Sequence, residues 1–192
     1  MKIRYPLLTI GMLVVAIHAV ATYLRPEDVF FTRTANRFGF YIWRGQTKAG
    51  YSRVLNSWDI PPLTIETNGV PVGIRTKSED DMKRVVIYNI QTRKRILEVR
   101  GYPYDDVEAA QKAMICNFSL MNTTRDYSTC TNDFGDRSYT YGSTGVTHYS
   151  AANFSRNNIF VRVVSETNTI SAEAVARQID ADILRRSTED GR

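Results

Sequence analysis

The sequence predicts an α+β fold: an antiparallel sheet built from hairpins, with two helices packed on one side. Three observations carry that expectation. Short alternating or apolar runs, separated by turn residues, recur between residues 63 and 164. Asn68-Gly69 stands between two alternating segments, the strongest short-range hairpin signal. Beyond the N-terminal run, only the stretches near 106–118 and after Ser171 carry helical spacing. Strands gathered in hairpins with few helices belong to the α+β class. One closing strand–helix unit is too little for a doubly wound sheet.

The N-terminal element is not part of that fold. Tyr5 to Leu24 is one uncharged, mostly apolar run behind Lys2 and Arg4, closed by Arg25-Pro26-Glu27-Asp28. Twenty residues at helical rise span about 30 Å, the thickness of a bilayer core. Ala19-Val20-Ala21 also supplies the small-x-small pattern of a cleavage site. Residues 1–24 are therefore expected to be a signal peptide or a signal-anchor helix. Cationic flanks stay on the cytoplasmic side, which makes the remainder extracytoplasmic: secreted, periplasmic, or held at the membrane by one helix. No Cys lies in the run to accept a lipid. The expected division is a linker over 25–36, one domain over 37–186 and a flexible tail over 187–192.

Within the domain, Phe38, Phe40 and Ile42 alternate as in a first strand, and residues 51–58 read as a second ended by Pro61-Pro62. Residues 63–67 and 70–74 form the two arms of the Asn68-Gly69 hairpin, with Pro71 placing the second arm at a sheet edge. Glu79-Asp80-Asp81 is a charged turn. Residues 84–90 and 95–100 are two strands joined by polar Gln91–Lys94. Asp105 with Glu108 reads as the start box of a helix over 106–118. Strands are expected around 138–141 and 147–151, and an apolar central one at 159–164. Ser171 caps the last helix, whose Val175, Ala176, Ile179 and Ile183 share a face, leaving Glu173, Arg177 and Asp180 outside.

Charge and chemistry then narrow the function. The chain has 25 Lys+Arg against 20 Asp+Glu, and Lys2 and Arg4 belong to the N-terminal run, so the exported part is +3. Between positions 83 and 100, Lys83, Arg84, Arg93, Lys94, Arg95 and Arg100 face one acid, Glu98. Such a strip suits an anionic surface or an acidic polymer, and equally a solvated hairpin face whose cations guard a sheet edge. Tyr139, Tyr141 and Tyr149 lie among Ser, Thr and Gly, either as adaptable contact residues or as half-buried strand residues. Cys116 and Cys130 enclose 13 residues, and an even pair in an exported domain reads as one disulfide.

No cofactor or metal is expected. The only histidines are His18, inside the apolar run, and His148, so neither a zinc set nor a Cys–His pair can be assembled. Gly142-Ser143-Thr144-Gly145 lacks nucleophile-elbow spacing, and Asn132–Asp136 lacks the spacing of a calcium loop. The expected function is a non-enzymatic extracytoplasmic binding or accessory module. It would act at or near the membrane, on an anionic surface, polymer or partner protein, with nucleic acid disfavoured. An envelope hydrolase using paired carboxylates is the alternative, since acids are plentiful and sequence does not give their distances.

Overall fold

The structure, a computed structural model, describes residues 54–121, 134–143 and 149–189. The N-terminal run, the linker, the expected first strand and Cys130 lie outside these residues. The described elements are β1 (Val72–Ser78), β2 (Lys83–Asn89), β3 (Arg95–Pro103), α1 (Val107–Met121), β4 (Arg137–Ser143), β5 (Tyr149–Arg156), β6 (Ile159–Ser165) and α2 (Ala172–Glu189). All six strands form one sheet in the order β1-β2-β3-β6-β5-β4, and every neighbouring pair is antiparallel.

Local chemistry explains the turns. Asn68 and Gly69 both take positive φ (49° and 78°), and the Val70 amide donates to the Thr67 carbonyl at 3.0 Å. At the β2–β3 turn the Asn89 side-chain oxygen accepts the Gln91 and Thr92 amides, and Arg93 adopts φ 60°. The β5–β6 turn holds two residues, Asn157 and Asn158, of which Asn157 has φ 52°.

Helix starts follow capping chemistry. The Asp106 carboxylate accepts the Ala109 amide at 2.7 Å, so the cap of α1 lies one residue later than the Asp105 box predicts. Glu108 instead pairs with Lys112 one turn on, at 3.0 Å. Ser171 caps α2 as expected, its hydroxyl accepting the Ala174 amide at 3.2 Å.

The helices do not share one side of the sheet; this corrects the sequence expectation. Val175, Ala176, Ile179 and Ile183 of α2 pack with Leu97, Val99, Val161, Val163 and Phe154 on one face. Met114, Ile115 and Phe118 of α1 pack with Phe160, Tyr139, Tyr102 and Tyr141 on the other. The reason lies in β6. Side chains alternate along a strand, and β6 is apolar at both Val161/Val163 and Phe160/Val164, so each face needs its own cover.

Residues 54–66 also depart from expectation: they pair with no strand and lie over the α2 side. Leu55 and Trp58 join the core there, with Ile60, Leu63 and Ile65 packed against it. Side chains satisfy their backbone instead of a neighbouring strand. Asn158 accepts the Leu55 amide at 2.8 Å and donates to its carbonyl at 3.2 Å, and Gln178 does the same for Thr64 at 3.1 and 3.0 Å. The Trp58 ring packs closely on Gly101, where a Cβ would sit 2.1 Å from its nearest ring carbon. At the far end α2 continues to Glu189, past the boundary expected at 186. Ser187 is buried and accepts a hydrogen bond from the Asn157 amide group at 2.7 Å.

Candidate anion-binding face

The α1 face of the sheet is covered over only half its width among the described residues. Helix α1 packs on β5 and β6 and reaches β3 at Tyr102, leaving β1, β2 and the Arg95–Arg100 part of β3 open on that side among the described residues. Register places one transverse row of side chains there. Asn153 stands opposite Arg162, Arg162 opposite Arg100, Arg100 opposite Arg84, and Arg84 opposite Lys77. Residues paired this way share a face and stand about 4.5–5.5 Å apart at Cβ. Four cations therefore sit side by side on four adjacent strands. Exposure rises along the row, from fully buried Asn153 through half-buried Arg162 to Arg100 (33 %), Arg84 (35 %) and Lys77 (62 %). A hollow of about 260 Å³ lies at the same sheet edge but mainly on the other face, lined among others by Asp59, Ile60, Thr76, Ser78, Lys83 and Val85.

Like charges directly opposite one another destabilise a sheet. Glu98 offsets that repulsion from the adjacent row. Its carboxylate is buried and accepts from Arg84 Nε at 2.6 Å, Arg100 Nε at 2.8 Å and Arg95 Nη1 at 2.6 Å. Arg95 also pairs with Glu166. Burial pushes the Glu98 carboxyl up, but Arg100, Arg95 and Arg84 together outweigh it and hold the group below its ordinary value. The same carboxylate anchors the guanidiniums. Arg84 donates its Nε–H to Glu98, and its side chain stays 35 % exposed. Arg75, one row over, lies 4.8 Å above the Tyr88 ring.

The residues singled out from sequence separate in space. Arg84, Arg95 and Arg100 converge on Glu98. Lys83 points to the opposite face, where it donates to Ser78 at 2.6 Å and lies 3.9 Å from Asp59. Arg93 and Lys94 are exposed at the hairpin tip, away from the row. Tyr139 is fully buried, donates to the Asn117 side-chain oxygen at 2.8 Å and packs edge-on against Phe118. Tyr141 is half-buried and stacks on Tyr139. Tyr149 opens β5, and its side chain lies outside the described residues. Cys116 sits half-buried on α1, and burial raises its thiol.

Sequence reasoning missed Lys77 and Arg162, which complete the row, and Arg75 beside it. The i, i+2 spacing of Arg75 and Lys77 was a readable strand signal. A lone Arg162 inside an apolar strand was another. Neither places a side chain opposite a particular neighbour.

A second ionic cluster lies in the interior. Arg156 donates to both oxygens of Asp180 at 2.7 and 2.8 Å and to Asp136 at 3.0 Å, with all three side chains less than a tenth exposed. Asp180 was expected on the outer face of α2. It is buried because Arg156 and the Gly135 amide meet it there. Burial raises the Asp136 carboxyl, against the opposing effects of the Asn157 amide and Arg156. The two acids converge on a cation that ties β4, β5 and α2 together. Among the described residues no group of three or more His, Cys, Asp or Glu side chains is placed to hold a metal, and no helix is long and apolar enough to cross a membrane.

Comparison with protein-family models, curated proteins and solved structures finds no match.

Proposed function

We propose that this chain is a non-enzymatic binding module that holds an anionic partner on the open half of the α1 face, in an extracytoplasmic setting at or near the membrane. The observation that carries this reading is the Lys77–Arg84–Arg100–Arg162 row. Four cations on adjacent strands, two of them (Arg84 and Arg100) steadied by the buried Glu98 carboxylate, present a basic surface. The extracytoplasmic setting rests on the Tyr5–Leu24 run behind Lys2 and Arg4. The convergent acids Asp136 and Asp180 favour a structural role over carboxylate catalysis, because both are paired with Arg156 in the interior.

The test compares two double variants with the same change in net charge. On a carboxylated matrix, R75E/K77E should elute at clearly lower salt than wild type, and R93E/K94E should shift less. Equal shifts for the two variants would mean that net charge, not this face, governs adhesion, and would end the proposal.

A further inference from the structure

We infer that the occupant of the row is a linear acidic polysaccharide lying across the strands at the foot of α1. This rests on the anion-binding reading above and adds the class of ligand. The first observation is the step. Helix α1 stands on the same face as the row, packed over β5 and β6 through Met114, Ile115 and Phe118. A helix is about 10 Å thick with its side chains. The exposure gradient from Asn153 to Lys77 traces the edge of that step. A planar bilayer resting on α1 would be held from the cations by roughly that height, which exceeds the screening length of about 8 Å at physiological salt. A thin chain reaches them.

The second observation is spacing. Neighbouring strands lie about 4.7–4.9 Å apart, so the four cations form a line about 14 Å long. An extended acidic peptide turns side chains to one side only every second residue, about 6.6 Å apart, and falls out of step with the row. The third is the lack of a stacking platform. Among the described residues, the aromatics on this face of β1, β2 and β3 are Tyr88, whose ring is taken by Arg75 at 4.8 Å, and Tyr102, which is half-buried and stacked on Phe160. Single-stranded nucleic acid relies on such rings. A polymer with a carboxylate or sulfate on successive sugars meets the guanidinium donors through charge-assisted, bidentate pairs.

The experiment uses the full chain in neutral-lipid nanodiscs, titrated with polygalacturonate. Polyglutamate, oligothymidylate and added phosphatidylserine vesicles serve as rival ligands. Polygalacturonate should bind most tightly, with affinity falling as salt rises. K77E, whose Lys77 pairs with the exposed Glu79 among the described residues, should weaken that binding several-fold and lower the salt slope by about one. Its thermal midpoint should stay at the wild-type value. Tighter binding of polyglutamate, oligothymidylate or vesicles overturns the polysaccharide assignment and leaves the basic face standing. Binding of none of the four sinks the anion-binding reading itself. Polygalacturonate binding untouched by K77E removes the row as its site.

Discussion

Replacing Arg156 with Met should destabilise the domain far more than its single-residue scale suggests, and by an amount that depends on pH. Met keeps the aliphatic stem, so little packing is lost. What goes is the cation between two carboxylates that are 1 % and 8 % exposed. Three hydrogen bonds of 2.7–3.0 Å disappear with it. Removing one partner of a buried ionic cluster costs about 3–5 kcal/mol, because the remaining charge is left desolvated. For a domain between the small and medium size classes this lowers Tm by roughly 10–20 °C. The pH dependence follows from Asp136. Its folded pKa already lies above the ordinary value because of burial. The folded state therefore holds its proton to higher pH than the unfolded chain, and stability rises as pH falls through that window. Without Arg156 the window extends upward, since the cation that favoured ionisation is gone. Thermal melts of R156M should thus show a larger deficit at pH 7 than at pH 5. A loss below about 1 kcal/mol, or an equal loss at both pH values, would refute an uncompensated buried charge as the cause.

Two further outcomes follow, one from local geometry and one from the sequence. Gly101→Ala places a methyl 2.1 Å from the Trp58 ring carbon, so the ring must move; a lower Tm and a red-shifted tryptophan emission are expected, and unchanged values would mean that residues 54–66 do not dock as described. The chain exported through an oxidising compartment should carry a Cys116–Cys130 disulfide, read as an intact mass lower by two hydrogens before reduction; recovery of both thiols would remove the redox argument for an exported domain.

Legibility varied with the range of the interaction. Ser171, the α2 stripe and the β2–β3 hairpin were readable because each depends on residues within a few positions of one another. The Asn68-Gly69 turn also forms, yet its first arm does not join the sheet. Turn chemistry sets a local bend but not what the arm then packs against, and Gln178, 114 positions away, satisfies the Thr64 backbone instead. Asp180 was assigned outward on helical spacing alone, and its partner Arg156 lies 24 residues earlier on another element. Half of the cation row was visible as Arg84 and Arg100. Lys77 and Arg162 come from other strands and join it only through register.

By itself the sequence determined the class of fold, the run of strands and helices along the domain, and a concentration of positive charge around one hairpin. These depend on periodicity, turn residues and composition, all carried by neighbouring positions. The tertiary structure decided which face each helix covers, which acids are buried on a cation, and which cations stand in line. Those outcomes depend on strand order and register, where a shift of one residue moves every side chain to the other face. The order β1-β2-β3-β6-β5-β4 sets β6 against β3, and that pairing brings Arg162 beside Arg100 to make a row of four out of charges scattered over 86 positions of chain, from Lys77 to Arg162.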